Sequence, residues 1–439
     1  MSVDAPASPQ ARPRSQIKAP VLVADLELAE SLSRAADLRA RLSTSDSHAR
    51  LLVRLHGHPV GSVDVGFDMF EAGELSTIVW AELGSAIDRH FRVHHGFSVG
   101  AIPDAGFGDD GRESCSWRRA VTTPLPSAEI VINTVKASDQ LARTVSSALD
   151  QDYPDFRITV VDNRPATSGV PALLAQRFGA GRNIAYVTES TPGLGAARSA
   201  GLNASSADIV AFTDDDVVLD RSWLGWLVAG FGVSDRVACV TGLIVPLELE
   251  APAQLLVDEF SGFSKGYEPL IWDLAEHRLD HPLYPYTVGT FGSGASSAFR
   301  RSILVAMGGF DRHLGIGTPA VGGEDLDVFV RIVLGGRQIV YEPASLLRHA
   351  HRREMAAFQR QVKGYGSGLT AMLTKHLLSD QTTRRAVLRR IPAGIAYALS
   401  PRSPKNMRKP REFGMRLSAL EWAGMAYGPI GYVRSRMAG

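Results

Sequence analysis

From residue 128 onward, short apolar runs of strand length alternate with longer segments of helical length. The first runs are Ile130–Ile132, Phe156–Val161, Ile184–Val187 and Ile209–Phe212. This alternation is typical of a mostly parallel sheet with helices on both faces, because parallel strands need a long crossover between them. We therefore expect residues 128–375 to form one α/β domain.

The rest of the chain falls into segments of different composition. Residues 1–19 mix Ala, Pro, Ser and basic residues without periodicity, as disordered leaders do. Residues 20–100 predict a small α+β module, and residues 101–127 are rich in Gly, Asp, Pro and Thr, which indicates a linker. Residues 376–439 form a basic amphipathic segment, for which a helical tail is expected.

The small module predicts a hairpin between two helices. We expect a helix near residues 24–42, a hairpin turning at residues 56–59, and a second helix over residues 74–91. These segments show no recognisable catalytic constellation. Neither of the two cysteines, Cys115 and Cys239, lies in a spacing typical of metal or redox sites.

The net charge of +1 hides a strong asymmetry along the chain. Lys and Arg total 47 against 46 Asp and Glu, which disfavours a dedicated nucleic-acid binder. Residues 384–439, however, have a local balance of 12 − 2 = +10, so the preceding residues carry 1 − 10 = −9. A basic, partly apolar tail suits an anionic membrane surface, and it equally suits a helix packed on the α/β domain.

Two features of the sequence favour a cytoplasmic location. Only two cysteines occur, which is too few for a disulfide framework. In addition, no stretch reaches the roughly 18 consecutive apolar residues of a membrane span. We expect a cytoplasmic protein that its tail could hold at the inner face of the cell membrane.

Polar residues follow the expected strands at the points where these end. In open α/β sheets ligands bind at the carboxyl ends of the strands, so these residues are the first candidates for a site. Three consecutive acids, Asp214, Asp215 and Asp216, follow the run at 209–212. A cation would neutralise their mutual repulsion, but a turn that favours Asp explains them as well.

A second acidic group and a pair of histidines lie further along the chain. Glu324 and Asp325 begin an apolar helical segment. Acids at a helix start interact favourably with the helix dipole, and a carboxylate there could also serve as a general base. His349 and His351 would lie on the same side of an extended segment. Periodicity therefore does not separate them as metal ligands.

A glycine-rich turn at residues 193–198 follows an expected strand and opens a helix. It fails the dinucleotide-binding fingerprint because Arg198 stands where that pattern requires Gly or Ala, which disfavours a nicotinamide-dependent oxidoreductase. Arg198 suits either a diphosphate ligand or the exposed surface of an ordinary helix start.

Taken in order, these segments resemble the family 2 glycosyltransferases, which are inverting enzymes with the GT-A fold. The resemblance covers about residues 127–370 and implies a GT-A type, mostly parallel sheet flanked by helices. The motifs that carry it are Val131–Thr134 with Leu149–Pro154, Val160–Asn163, Gly193–Leu202, Phe212–Asp216, Gly308–Asp311 with Gly323–Asp325, and Tyr341–Pro343 with His349.

The resemblance implies roles for single residues. Asp325 would be the catalytic base, with Glu324 and Ser296 at the acceptor site; many relatives carry Asn in the segment that contains Ser296. The ligands of a divalent metal, Mn2+ or Mg2+, would be Asp214, Asp216 and His349, with His351 as the weaker candidate. The donor would be bound by Thr134, Asp162, Arg198, Asp214 and Asp215.

The implied activity is transfer of one sugar from a nucleotide-sugar donor to a glycan or lipid-linked acceptor, in cell-envelope glycan or glycolipid synthesis. The Q-x-x-R-W motif of processive relatives is missing, since Gln359–Gln361 lacks the Trp. An alternative is a catalytically inactive GT-A protein that binds nucleotide sugars and acts through its N-terminal module. The presence of both Asp216 and Asp325 disfavours that alternative.

Overall fold

The computed structural model describes residues 17–32, 48–66, 72–110, 112–121, 124–179, 183–287, 289–400, 402, 403, 406 and 414–438. The strands are β1 (Leu22–Glu27), β2 (His48–Leu55), β3 (His58–Gly66), β4 (Ala128–Thr134), β5 (Phe156–Asp162), β6 (Ile184–Thr188), β7 (Ile209–Asp214), β8 (Val217–Leu219), β9 (Val237–Pro246), β10 (Leu270–Trp272), β11 (Ser297–Arg300) and β12 (Gln338–His349). The α-helices are α1 (Ala72–His94), α2 (Trp117–Ala120), α3 (Asp139–Leu149), α4 (Val170–Phe178), α5 (Leu194–Ala204), α6 (Trp223–Gly230), α7 (Pro252–Ser261), α8 (Arg301–Ala306), α9 (Glu324–Leu334), α10 (Met355–Leu377), α11 (Gln381–Leu399) and α12 (Gly414–Ala438). Short 3-10 helices lie at Arg112–Cys115 and Phe231–Val233.

The larger of the two sheets has the strand order β10-β12-β9-β11-β7-β4-β5-β6, with β8 paired to β12. Strands β7, β4, β5 and β6 are parallel, as are β9 and β12, whereas β11 is antiparallel to both its neighbours. Helices cover both faces of this sheet. The expected α/β fold, a mostly parallel sheet flanked by helices, is confirmed.

Successive residues of the central strands point into two separate cores. Ile130 and Ile132 of β4 pack with α3, α4 and α6, whereas Val131 between them packs with α5, α8 and α9. All three side chains are fully buried. Burial on both faces explains why these strands are continuous apolar runs in the sequence.

The register of the parallel strands brings their polar ends to one edge of the sheet. Thr134 of β4 pairs with Asp162 of β5, and Asn133 pairs with Asp214 of β7. This is the edge at which open α/β sheets bind their ligands.

The N-terminal module contains a three-stranded sheet, in the order β1-β2-β3, and helix α1. The expected helix near 24–42 is wrong in its first part, because residues 22–27 form strand β1. Ala24 and Leu26 are buried on either side of exposed Asp25, a period of two that fits a strand. Residues 33–47, and residues 1–16 of the expected leader, lie outside the described residues.

Within the segment interpreted as a linker, residues 101–127, helix α2 packs against the α/β domain, whereas Ile102 and Phe107 pack in the core of the N-terminal module. Trp117 is 1% exposed and belongs to the core of the larger sheet. Its Nε1 donates a hydrogen bond to Oδ1 of Asp152 at 2.9 Å. Cys115, two residues earlier, is also buried. The segment therefore connects the two parts of the molecule through packed side chains.

The basic C-terminal segment forms helices α11 and α12, and α12 packs along α10. A Cβ atom at Gly424 would overlap the carbonyl oxygen of Lys363, and one at Gly428 would overlap Oγ1 of Thr370. These glycines allow the two helix backbones to approach closely. Among the described residues, no helix combines the length and the hydropathy that crossing a bilayer requires.

Candidate active site

The acids at the end of β7 lie beside His349, the last residue of β12. Strand β8, which directly follows the acids, is antiparallel to the end of β12, with Val217 opposite His349. The amide of Ala350 donates a hydrogen bond to the carbonyl oxygen of Asp216 at 2.9 Å. This pairing brings the ligand atoms of Asp214, Asp216 and His349 within 4.8 Å of one another.

The two histidines, which the sequence left equivalent, have different surroundings. Nε2 of His349 lies 3.3 Å from Oδ1 of Asp216. Nδ1 of His351 lies 3.1 Å from Nδ1 of His349, and its Nε2 lies 3.8 Å from Oδ1 of Asp258. His349 thus faces the acids, and His351 contacts the opposite side of the His349 ring.

The charges of this cluster are strongly coupled. Burial would raise the pKa of Asp216, but His349 and Arg352 outweigh burial and bring it below the ordinary value. Burial would lower the pKa of His349, and the Asp216 carboxylate raises it instead. Burial raises the pKa of Asp215 to about 6. Crowded carboxylates beside an imidazole are a suitable donor set for a divalent cation.

Arg198 lies inside the site and not on the surface of helix α5. The residue is 2% exposed, and its Nη2 lies 3.4 Å from Oδ1 of Asp214. Its Nη1 lies 3.2 Å from Oε1 of Glu324. A Cβ atom at Gly294 would overlap the guanidinium, so the backbone packs directly against it. Arg198 therefore joins the two acidic groups and balances their charge.

Glu324 and Asp325, at the start of α9, have different environments. Glu324 is buried against Arg198, and burial together with the neighbouring Asp325 raises its pKa to about 7. Asp325 is only partly buried. Its Oδ2 accepts a hydrogen bond from the amide of Gly294 at 2.9 Å, and its Oδ1 accepts one from the amide of Leu326 at 2.8 Å. The Asp325 carboxylate is thus fixed in orientation and still accessible, as a general base must be.

Thr134 and Asp162, the expected donor residues, lie at adjoining strand ends. The Thr134 hydroxyl donates a hydrogen bond to Oδ2 of Asp215 at 2.5 Å. Asp162 is fully buried, and its carboxylate accepts hydrogen bonds from the amide of Arg164 at 2.9 Å and from the hydroxyl of Tyr186 at 2.8 Å. Asp162 therefore orders the loop after β5, and the partly exposed Tyr186 lies over it.

Ser296, which was expected at the acceptor site, lies in the core instead. Its side chain is fully buried, and its Oγ accepts a hydrogen bond from Nε1 of Trp223 at 3.0 Å. A buried indole N–H needs such an internal partner, so the hydroxyl serves the packing of α6. The structure therefore contradicts the expected contact between the Ser296 side chain and the acceptor.

Two residues that sequence reasoning missed also lie at the acidic cluster. Nη1 of Arg352 lies 3.6 Å from Oδ2 of Asp216, and this side chain is 51% exposed. Asn133 pairs with Asp214 on the neighbouring strand, and both polar atoms of its buried amide have no hydrogen-bond partner within the described part of the chain. Two features of the sequence could have indicated these residues. Arg352 directly follows His351, and Asn133 is a polar residue at the end of the apolar run Ile130–Ile132.

A mostly parallel α/β sheet with clustered acids, a histidine and a separate carboxylate at one edge is the arrangement that the resemblance to GT-A glycosyltransferases implies. The model of the family described as "glycosyltransferase like family 2" matches residues 126–364, which is more than half of the chain. The protein belongs to this family.

Three known proteins that resemble the chain share 16%, 23% and 31% sequence identity with it. The chain is 31% identical over 185 residues to the pre-mycofactocin glycosyltransferase of Mycobacterium tuberculosis, covering 42% of this chain and 36% of that protein. It is 23% identical over 220 residues to the glucosyl-dolichyl phosphate glucuronosyltransferase of Haloferax volcanii, covering 48% of this chain and 64% of that protein. A similar solved structure is the mannosyltransferase PcManGT from Pyrobaculum calidifontis in complex with GDP-Man and Mn2+, with 16% identity, a TM-score of 0.45, and coverage of 73% of this chain and 91% of that chain. The chain thus spans about a third to under two thirds of the length of these curated relatives.

Proposed function

We propose that the protein is a metal-dependent, inverting glycosyltransferase that moves one sugar from a nucleotide-diphosphate sugar to an acceptor hydroxyl. The main observation behind this proposal is that Arg198 contacts two acidic groups. One group, at Asp214, includes a histidine, and the other, at Glu324, includes an accessible carboxylate. Membership of the glycosyltransferase family supports the transfer of a sugar. The names of the two curated relatives also describe sugar transfer.

Asp214, Asp216 and His349 would hold the divalent cation. Oxygen and imidazole donors suit Mn2+, and carboxylates suit Mg2+ as well. When bound, such a cation would neutralise the negative charge that develops on the leaving diphosphate. Arg352, half exposed beside Asp216, offers a second positive group to the same phosphates.

Asp325 would accept the proton of the acceptor hydroxyl. The acceptor oxygen then forms a bond to the anomeric carbon as the bond from that carbon to the diphosphate oxygen breaks. A single displacement of this kind inverts the anomeric configuration. Glu324 suits the role less well, because it is buried against Arg198 and is less accessible to an acceptor than Asp325.

A panel of nucleotide-diphosphate sugars, offered with glycan and lipid-linked acceptors, tests the proposal. We expect at least one donor to release its nucleotide diphosphate in proportion to the enzyme added. The anomeric configuration of the product is then read by nuclear magnetic resonance. Inversion is the expected result, and retention would contradict the single displacement.

Replacing His349 with alanine is expected to weaken Mn2+ binding more than about 100-fold, because a direct ligand is lost. The matched variant His351→Ala removes only the group that orients the His349 ring, for which about 10- to 100-fold is expected. Free Mn2+ is measured by electron paramagnetic resonance in the presence of a nucleoside diphosphate. A larger loss in His351→Ala than in His349→Ala would reverse the two assignments.

We further propose that helix α11 binds an anionic membrane surface, which would place the transfer at the inner face of the cell membrane and favour an envelope glycan or glycolipid acceptor. One face of α11 presents an apolar stripe with helical spacing, formed by Leu388 (50% exposed), Ile391 (39%), Ile395 (55%) and Leu399 (53%). Exposed basic residues adjoin it, namely Arg384, Arg385 and Arg389. An apolar stripe beside basic side chains is the usual arrangement of an interfacial helix.

The variant Ile395→Glu is expected to bind phosphatidylglycerol vesicles about tenfold more weakly than the wild type. It removes one aliphatic side chain that the wild type would bury in the membrane surface on binding. Binding is measured by co-sedimentation at low salt. The matched variant Val93→Glu changes a residue that is 71% exposed on the N-terminal module, and it should bind normally. Equal binding by all three proteins, or none by the wild type, would contradict a membrane role for α11.

A further inference from the structure

Four side chains of types that can bind a metal ion meet between the N-terminal module and the segment that follows it, far along the chain from the acids of the active site. His56 lies in the turn between β2 and β3, His90 and His95 lie at the end of α1, and Cys115 ends a 3-10 helix. Sγ of Cys115 lies 3.5 Å from Nδ1 of His56, 3.3 Å from Nε2 of His90 and 3.4 Å from Nε2 of His95. All four ligand atoms lie within 4.8 Å of one another.

These distances match a tetrahedral metal centre. A zinc ion with Zn–S of about 2.3 Å and Zn–N of about 2.0–2.1 Å places the sulfur about 3.5 Å from each nitrogen. A thiol has only one proton to donate, so it satisfies one of three surrounding imidazole nitrogens. A cation between the four atoms would satisfy all of them. We propose that His56, His90, His95 and Cys115 form a structural zinc site.

The surroundings of the cluster prepare these side chains as ligands. Nε2 of His56 lies 3.1 Å from the carbonyl oxygen of Gly108, a contact that fixes the tautomer and leaves Nδ1 free for a metal. His56, His90 and Cys115 are 5%, 8% and 3% exposed, so little room remains for a water ligand.

A second group of histidines, His58, His90 and His94, shares one member with this cluster. His90 lies in both, and a His90 that offers one nitrogen can complete only one of the two centres. Nε2 of His58 lies 2.6 Å from the carbonyl oxygen of Cys115, so that nitrogen already has a partner. The group also lacks a thiolate, which is a strong zinc ligand. We therefore assign the site to the four residues that include Cys115.

The site would connect the N-terminal module to the α/β domain. Cys115 lies two residues before Trp117, which is buried in the core of the larger sheet. The ring of His58, beside the cluster, packs edge-on against Trp226 of helix α6 at 4.7 Å. A zinc ion here would fasten the hairpin and helix α1 to the segment that enters the α/β domain. Metal binding of this kind contributes directly to folding stability.

Metal analysis of the full-length chain, purified without a histidine tag, tests this site. We expect about one zinc per chain in the wild type. Cys115→Ser and His95→Ala are expected to lower the zinc content at least tenfold, whereas the neighbouring control His94→Ala should keep it. Retention of zinc in Cys115→Ser together with its loss in His94→Ala would overturn the assignment.

Cobalt substitution provides a readout that does not depend on a variant folding. Wild-type protein loaded with Co2+ should show a thiolate-to-cobalt charge-transfer band, and so should the Asp216→Asn variant, because the active-site cluster contains no sulfur. Removal of the metal from the wild type should lower its melting temperature. Wild-type protein with neither bound zinc nor a thiolate–cobalt band would overturn the proposal.

Discussion

Sugar transfer by the Asp325→Asn variant is expected to be about 10²- to 10⁴-fold slower than by the wild type, with little change in donor affinity. Asparagine keeps the size of the side chain and an oxygen that can accept the hydrogen bond from the amide of Gly294. It cannot take a proton from the acceptor hydroxyl. The rate is measured as kcat for nucleotide diphosphate release, and the donor affinity by calorimetry.

The matched variant is Glu324→Gln, which changes the neighbouring carboxylate in the same way. We expect a smaller loss of kcat, because Glu324 acts through its contact with Arg198. Full activity in Asp325→Asn would show that another group is the base. Donor binding by the wild type without turnover of any donor would instead support the inactive, binding-only alternative.

Replacing Arg198 with methionine is expected to lower the free energy of unfolding by about 3–5 kcal/mol, the usual cost of removing one partner from a buried ion pair. The variant keeps an apolar side chain of similar length but leaves Asp214 and Glu324 without their common counter-charge. Urea denaturation at neutral pH, followed by circular dichroism, measures the change.

Two further variants test whether the loss of stability comes from the buried position of Arg198 and not from the removal of an arginine as such. Arg177→Met removes a side chain that is 55% exposed and pairs with the exposed Asp139, so a change of less than about 1 kcal/mol is expected. Adding Glu324→Gln to Arg198→Met removes one of the stranded charges and should restore part of the stability. Equal unfolding midpoints for Arg198→Met and Arg177→Met would contradict the role of Arg198 as a buried counter-charge.

The α/β domain could be predicted because its pattern is local. The apolar runs at 130–132 and 209–212 are buried on both faces, and parallel pairing then places Thr134, Asp162 and Asp214 at one edge. The separate environments of His349 and His351 could not be predicted, because both residues lie on the same side of an extended segment. Only the pairing of β8 with β12 turns His349 toward Asp216.

Other features depend on contacts between residues that are remote in the sequence. Cys115 has no ligand-like spacing to His56, His90 or His95, and only the folding of the hairpin, the helix and the 3-10 turn brings them together. Ser296 was expected at the acceptor site because it lies in a segment where many relatives carry Asn, yet its hydroxyl faces Trp223. Motifs therefore predicted the position of a segment better than the direction of its side chains.

The most direct test of metal-dependent sugar transfer is the release of nucleotide diphosphate as a function of added Mn2+, for the wild type and for Asp216→Asn. We predict that release by the wild type requires a divalent cation and saturates with Mn2+. The Asp216→Asn variant should need at least about 100-fold more Mn2+ or remain inactive. Full-rate release by the wild type after removal of divalent cations, or an unchanged Mn2+ requirement in Asp216→Asn, would contradict a catalytic cation at Asp214, Asp216 and His349.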